Sequence, residues 1–327
     1  MSTRREFITL LGSAAAWPVA ARAQQPAMPV IGFLNAASPD GYAERLRGFR
    51  QGLKDEGFGE GENVSVEYRW AENQLNRVPA MATELVRRQV TVIVATGGNA
   101  ATTGAKAATT TIPVLFVTPD DPVALGYVAS LARPGGNLTG INFLGSELGA
   151  KRLELLRDLV PATTRVAVLY NPAGPVSESR LSDVQAAARS MGLQIQVFAA
   201  GTSREIDIAF AAVAHERVGA LLLVPDPVFN GRRIQLVHLA SRHALPAIYW
   251  QREFAEAGGL ASYGSSIGDA FRQIGVYTGR ILKGTKPADL PVVQSSKFEL
   301  VINAQTARML GLDVPPSLLA RADEVVE

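Results

Sequence analysis

The residues of this chain that could do chemistry are polar side chains that follow apolar, β-branched runs. Carboxylates and amides at such positions can bind the ammonium, hydroxyl or amide groups of a ligand, and two facing carboxylates can also transfer protons. Any one of them could serve only as a helix N-cap, but a set drawn from both halves of the chain predicts a ligand site. The set consists of Asn35, Thr96, Asp120, Asp121, Asn142, Asn171 and Asp226.

A glycine-rich stretch, VIVATGGNAATTGAK, could bind an anion on backbone amides at the start of a helix. It does not match a phosphate-binding fingerprint, because five residues separate Gly98 from Gly104 and Lys106 does not directly follow the second glycine. The stretch therefore predicts a site for a carboxylate rather than for a nucleotide. The segment PVSESR offers a second such site, with the hydroxyl groups of Ser177 and Ser179 beside free amides.

One catalytic motif is matched formally, since residues 264–268 fit the G-x-S-x-G turn of α/β-hydrolases. That fold places its histidine after the serine, whereas His215, His238 and His243 all precede it. The histidines also lack the H-E-x-x-H spacing of a metal site, and the chain has no cysteine for thiol catalysis. We therefore expect a protein that is not an enzyme and that uses no metal or cofactor.

Alternating strand and helix patterns must position the polar residues. The runs VTVIVAT, PVLFVT, RVAVLY and ALLLVP are apolar on both faces, which is typical of parallel strands that helices cover on both sides. Helical segments separate these runs, so the sequence predicts an α/β fold of doubly wound parallel sheets. Ligands of such sheets bind beyond the carboxyl ends of the strands, where the polar residues occur.

The pattern occurs in two blocks, which predicts two lobes joined by a hinge, with a cleft between them. We expect residues 28–142 plus 264–290 to form lobe 1 and residues 143–263 plus 291–327 to form lobe 2. The two later segments are too short to form a third domain, so they should return to complete the lobes.

The first residues have the pattern of an export signal. Arg4 and Arg5 precede an apolar run over residues 7–19, and the small residues Ala21 and Ala23 predict signal peptidase cleavage near Ala23. Paired arginines before a bulky apolar residue are typical of twin-arginine export. No cysteine follows that could carry a lipid, so we expect residues 1–23 to be removed and the protein to be free in the periplasm.

The charge balance argues against a nucleic-acid partner. The chain has 32 Lys and Arg against 30 Asp and Glu, and residues 1–23 hold three of these arginines and one glutamate. The remainder is therefore neutral, whereas proteins that bind phosphate backbones usually carry a basic surplus. Without cysteine there is no disulfide, so stability must come from burial of apolar side chains.

The chain resembles the solute-binding proteins of ABC importers, in the branch that includes the tryptophan- and phenylalanine-binding proteins. The residues that carry the resemblance are VTPDDPVALGYVASLARPGGNLTGIN, VLYNP, LLLVPDPV and LASYGSSIGDAFRQIGVYTGRILKG, in that order. The resemblance implies the type I periplasmic-binding fold, with three hinge strands and the solute held between the lobes. It also implies an ABC permease and its ATPase in the inner membrane as partners of a monomeric receptor.

By the same resemblance, the solute contacts are expected on loops at the carboxyl ends of the strands. They are Asn35, Ser38, Thr96, Gly97, Asn99, Asp121, Asn171, Ser177, Asp226 and Tyr263, and Asn142 joins them as a strand-end residue.

The residues themselves suit a zwitterionic solute such as an amino acid, although a small carboxylate or an aromatic compound would also fit. Helix amides can bind a carboxylate, and Asp121 or Asp226 can bind an ammonium group. Two alternatives stay open. One is a periplasmic sensor that presents its bound solute to a membrane kinase, and the other is an enzyme that uses the carboxylates of Asp121 and Asp226.

Overall fold

The computed structural model describes residues 28–40, 42–143, 148–174, 177–216 and 218–327. The predicted export signal, residues 1–23, lies outside the described residues. None of the helices in these ranges combines the length and the apolar character that crossing a bilayer requires.

The described elements alternate between strand and helix along most of the chain. In the first half they are β1 Val30–Asn35, α1 Ala43–Asp55, β2 Ser65–Trp70, α2 Val78–Arg87, β3 Val92–Thr96, α3 Asn99–Ala108, β4 Val114–Thr118 and β5 Leu138–Phe143. In the second half they are α4 Gly149–Leu159, β6 Arg165–Tyr170, α5 Ser177–Ser190, β7 Gln194–Ala199, α6 Ser203–His215, β8 Ala220–Leu223, α7 Pro227–Gly231, α8 Arg233–Arg242, β9 Ala247–Tyr249, α9 Arg252–Glu256 and β10 Ala261–Ser265. The last part holds α10 Ile267–Leu282, β11 Val293–Ser295, β12 Phe298–Asn303, α11 Ala304–Met309, α12 Pro316–Leu319 and β13 Glu324–Val326.

The strands form two sheets, and the expected α/β class is confirmed. The six-stranded sheet has the order β11-β5-β4-β3-β1-β2, and its pairs are parallel. The seven-stranded sheet has the order β13-β12-β10-β9-β8-β6-β7, in which β10 and β12 are antiparallel and the other pairs are parallel. We refer to the six-stranded sheet with its helices as lobe 1 and to the seven-stranded sheet with its helices as lobe 2.

Each sheet is buried on both faces because its apolar strands alternate their side chains between two helical layers. In lobe 1, Phe33 and Val94 belong to the core on one face, and Leu34 and Ile93 to the core on the other. Lobe 2 repeats the arrangement, with Val168 on one face and Leu169 on the other. The four apolar cores explain why the chain needs no disulfide.

In the described part of the chain, the backbone passes between the sheets after β5, after β10 and after β11. The expected boundaries at 263/264 and 290/291 differ from these passages, because Gly264 and Ser265 still belong to β10 and Val293–Ser295 pairs with β5. Only two residues separate β11 from β12, although the two strands join different sheets.

Helix α10 enters lobe 1 and packs closely along α1. A Cβ atom added at Gly52 of α1 would lie 1.9 Å from the carbonyl oxygen of Arg272, and one added at Gly275 of α10 would lie 2.2 Å from that of Phe49. The two backbones therefore touch where the helices cross. Ser266, the serine of the G-x-S-x-G match, is the N-cap of α10 and accepts a hydrogen bond from the amide of Asp269.

We predict that Gly275→Ala lowers the free energy of unfolding by about 1–3 kcal/mol, because the new methyl group has no space between the two backbones. The matched control is Gly268→Ala in the same helix, where an added Cβ meets nothing within 4 Å. The control should leave stability unchanged or raise it by up to about 1 kcal/mol, since alanine favours helix more than glycine does. Denaturant unfolding measures both, and equal stability of the two variants would contradict the close contact.

Candidate functional site

Among the described residues, two ion pairs join the lobes at the carboxyl ends of their strands. Arg180 in the first turn of α5 contacts Asp120, which follows β4, with 2.5 Å between Nη2 and Oδ1. Arg45 in the first turn of α1 contacts Glu253 in the first turn of α9, with 2.7 Å between Nη2 and Oε1. The carboxyl ends of the two sheets therefore face each other, which is the arrangement that an interlobe ligand site requires.

On the lobe 1 side of the cleft, a buried side-chain amide lies at the end of β1. Asn35 is fully buried, and its Nδ2 donates to Thr96 Oγ1 at 2.9 Å while its Oδ1 accepts from the amide of Ala37 at 2.7 Å. Gly97 has a φ of 82°, and a Cβ there would lie 2.1 Å from Asn35 Oδ1. The structure thus brings Asn35, Thr96 and Gly97 together, and it places Ser38 half-buried in the loop that Asn35 supports.

A hydrogen-bonded network fixes the carboxylate of Asp120. Asn99, the first residue of α3, donates from Nδ2 to Asp120 Oδ2 at 2.8 Å and accepts from Thr118 Oγ1 at 2.9 Å. Thr118 Oγ1 also accepts from the Asp120 amide at 3.1 Å. Asn142 donates to the Asp120 carbonyl oxygen at 2.6 Å. Two predicted residues, Asn99 and Asn142, therefore hold Asp120 in place.

Asp121 is placed differently from its neighbour. It is exposed, and its Oδ1 accepts from the amides of Val123 at 2.8 Å and Ala124 at 3.3 Å. Its carboxylate therefore caps the turn after Pro122, while the preceding Asp120 makes the contact with lobe 2. The Asp-Pro dipeptide is the signal for this difference, because proline is favoured directly after an N-cap residue.

On the lobe 2 side of the cleft, three other predicted residues lie around Gly174. Asp226 Oδ1 accepts from Asn171 Nδ2 at 3.1 Å and from the amide of Val228 at 2.8 Å, so Asp226 is also the N-cap of α7. A Cβ added at Gly174 would lie 2.2 Å from Ser177 Oγ and 2.7 Å from Asp226 Oδ2. Asn171, Ser177 and Asp226 are all buried, and their polar atoms converge there.

Two buried arginines on the lobe 2 side were missed by the sequence reasoning. Arg152 of α4 is 1% exposed, and its Nε donates to the carbonyl oxygen of Tyr263 at 2.8 Å. Burial first, and then the charge of Arg180, lower the pKa of Arg152 to about 9, so its guanidinium is still charged at neutral pH. Arg180 is 7% exposed and donates from Nη1 to the Pro225 carbonyl oxygen at 2.8 Å.

Helical spacing is the signal that could have found Arg180. The buried residues of α5 are Ser177, Arg180, Val184 and Ala188, which lie on one face of the helix. An arginine within an otherwise buried stripe indicates a charge that faces the protein rather than solvent. In the described ranges, no group of three or more acidic or histidine side chains is placed to hold a metal ion.

The comparisons with known proteins agree with this arrangement. The profile of the family described as ABC transporter substrate binding protein matches residues 30–326. The chain belongs to this family. A curated relative of this substrate-binding protein is the "Tyrosine-binding protein" of Clostridioides difficile (strain R20291), which is 25% identical over 267 residues, covering 81% of this chain and 76% of the relative.

Two solved structures share the fold over nearly their whole length. The ABC domain from Streptococcus pneumonia, solved in complex with L-Trp, has a TM-score of 0.81 at 27% identity and covers 91% of this chain and 99% of its own. A conserved domain protein from Vibrio cholerae has a TM-score of 0.81 at 25% identity, with the same coverage. The type I periplasmic-binding fold expected from the sequence is thereby confirmed.

We predict that Asn35→Ala lowers the free energy of unfolding by about 1–3 kcal/mol, because it leaves the buried Thr96 hydroxyl and the Ala37 amide without their partner. The control is Ser38→Ala in the same loop, which should change stability by less than about 0.5 kcal/mol. Chemical denaturation measures the two differences. An Asn35→Ala variant as stable as the control would show that this amide does not organise the loop.

Proposed function

We propose that the protein is an exported receptor of an ABC importer that captures an amino acid between its lobes and delivers it to a membrane permease. The observation that carries the proposal is the meeting of Asp120 from lobe 1 and Arg180 from lobe 2 at the carboxyl ends of the sheets. A zwitterion needs one acidic and one basic partner, and the cleft of this family member supplies one from each side.

The chemistry of the cleft supports such a solute energetically. A hydrogen bond to a charged group contributes about 1.5–3 kcal/mol, whereas micromolar affinity requires about 8 kcal/mol. Two ionic contacts and some apolar burial supply that amount. The names of the relatives, one binding tyrosine and one in complex with L-Trp, favour an aromatic amino acid among the zwitterions.

We propose that the sequence-predicted residues form and support this site. Ser38, Asn99, Ser177 and Tyr263 would contact the solute, and Asn35, Thr96, Gly97, Asn142, Asn171 and Asp226 would hold the loops that carry those contacts. Asp121, which caps an exposed turn, is proposed at the rim of the cleft. Closure over the solute would create the surface that a permease distinguishes from the open form.

Transport has more support than the two alternatives. The family relation names the ABC transporter, which favours a permease over a sensor kinase. The carboxylate enzyme has less support, because one oxygen of Asp121 and one of Asp226 accept hydrogen bonds from nearby backbone amides.

We expect L-tyrosine and L-tryptophan to stabilise the chain that begins at Gln24. A ligand at a hundred times its dissociation constant adds about 2.7 kcal/mol to the stability of the folded state, so the melting temperature should rise by several degrees. Thermal-shift titration measures the rise, which should follow the logarithm of ligand concentration, and D-glucose serves as the control solute. Absence of any shift with the common amino acids would contradict the proposed solute class.

Export by the twin-arginine route is expected to depend on the arginine pair. A chain carrying both Arg4→Lys and Arg5→Lys should lose most of its processed periplasmic form, because that route reads the arginine pair. The matched control is Arg22→Lys, which lies outside the pair. Cell fractionation and mass spectrometry of the mature N-terminus measure the outcome, and normal processing of the double variant would argue against this route.

A further inference from the structure

The Asp120–Arg180 ion pair combines an arginine that has an unused donor with a carboxylate that is held in place. Arg180 is buried, with 9% of its side chain exposed, and its Nε has no hydrogen-bond partner among the described residues. Asp120 is 15% exposed, and Asn99 and Thr118 fix its position. The cation therefore has unused donor capacity, while the anion is held in a set orientation.

Within lobe 2, the acid near Arg180 is already engaged, because Asp226 accepts from Asn171 and from the amide of Val228. Removing the partner of a buried ion is strongly unfavourable, because the desolvated charge is left uncompensated. When the lobes separate, Arg180 loses its contact with Asp120. The buried guanidinium on the lobe 2 side of the cleft can then bind an anion from solution.

We propose that Asp120 and Arg180 bind the two charged groups of the solute and form an ion pair with each other when no solute is bound. In the complex, the ammonium group of the solute lies at Asp120 and its carboxylate lies at Arg180, so the solute replaces the direct contact between the lobes. This inference rests on the proposed function of the cleft as an amino-acid site. It adds Arg180, which the sequence did not single out, and Asp120, which was among the strand-end residues but not among the predicted solute contacts.

The second interlobe pair provides the comparison. Arg45 and Glu253 have the opposite polarity, with the cation in lobe 1 and the anion in lobe 2. The Arg45 guanidinium lies over the ring of Tyr42, 4.7 Å from its centroid, and Tyr42 belongs to the apolar core of lobe 1. Arg45 Nε and Glu253 Oε2 also lack hydrogen-bond partners among the described residues, so the position of Arg45 over Tyr42, and not its donor capacity, assigns this pair to lobe contact rather than to recognition of the solute.

The test uses L-tyrosine and two analogues that each lack one charge: tyramine has no carboxylate, and 3-(4-hydroxyphenyl)propionate has no ammonium group. Titration calorimetry on the chain from Gln24 measures the affinity of the three compounds for the wild-type protein, Arg180→Gln, Asp120→Asn and the control Glu253→Gln. The tryptophan series, with tryptamine and indolepropionate, repeats the test with a second side chain.

Arg180→Gln should weaken L-tyrosine and the propionate at least tenfold and change tyramine less than threefold. Asp120→Asn should weaken the binding of L-tyrosine and of tyramine at least tenfold. It should leave the affinity for the propionate unchanged or raise it, because residue 120 competes with the propionate carboxylate for Arg180 and loses its charge in this variant. Glu253→Gln should change the three compounds by the same factor. Melting curves verify folding, and Arg180→Lys, which keeps the charge but not the planar fork, gives an intermediate loss if Arg180→Gln does not fold.

Losses that do not depend on which charge the compound carries would overturn the inference, while binding of L-tyrosine to the wild-type protein would still support the proposed function. If neither L-tyrosine nor L-tryptophan binds the wild-type protein, the proposed aromatic amino-acid solute and the inference both fail.

Discussion

The parallel direction of neighbouring strands is the constraint on which the site depends. A parallel crossover returns the chain to the same end of the sheet, so the carboxyl ends of the parallel strands β1 to β5 in lobe 1 and β6 to β10 in lobe 2 lie at one edge of each sheet and lead to loops or helix starts. In lobe 1 this edge carries Asn35, Thr96 and Asp120, and in lobe 2 it carries Asn171 and Asp226. Two such edges face each other here, which concentrates polar groups in a molecule whose sheets are otherwise apolar on both faces.

The burial of charge decides how these groups are arranged. Most of the polar side chains satisfy one another within a lobe, as Asn35 does with Thr96 and Asn171 with Asp226. Arg180 differs, because its nearest anion belongs to the opposite lobe. The energy of that contact depends on the separation of the lobes, whereas the contacts within a lobe do not. In the function that we propose, recognition of the solute and closure of the lobes therefore depend on one pair of side chains.

The strand-end residues could be predicted from the sequence because their position depends only on strand boundaries and parallel topology. The distinction between Asp120 and Asp121 depends on a local turn, and the proline after Asp121 is a signal for it. The helical spacing of Arg180 with Val184 and Ala188 is a signal for a buried arginine, but Arg152 could not be assigned from charge and spacing alone. An arginine on a helix usually faces solvent, and only the packing of α4 shows that the face with Arg152 is buried.

The passages between the lobes also could be predicted only in part. The sequence indicates that late segments return to earlier lobes. The boundary near β11 depends on which sheet Val293–Ser295 pairs with, and these residues pair with β5. The polar residues 294–297 separate Val293 from the apolar residues that begin at Phe298, but this break does not show which sheet each strand joins. Pairing with β5 in one sheet and with β10 in the other makes that choice.

The two-residue connection between β11 and β12 has a mechanical consequence. The strand before it pairs with β5 in one sheet, and the strand after it pairs with β10 in the other. Helix α10, which precedes β11 in the chain, is held against α1 by close backbone contact. At this connection, movement of one lobe relative to the other can use only the torsion angles of a few backbone bonds. This connection therefore adds little to the conformational entropy that is lost when the lobes close.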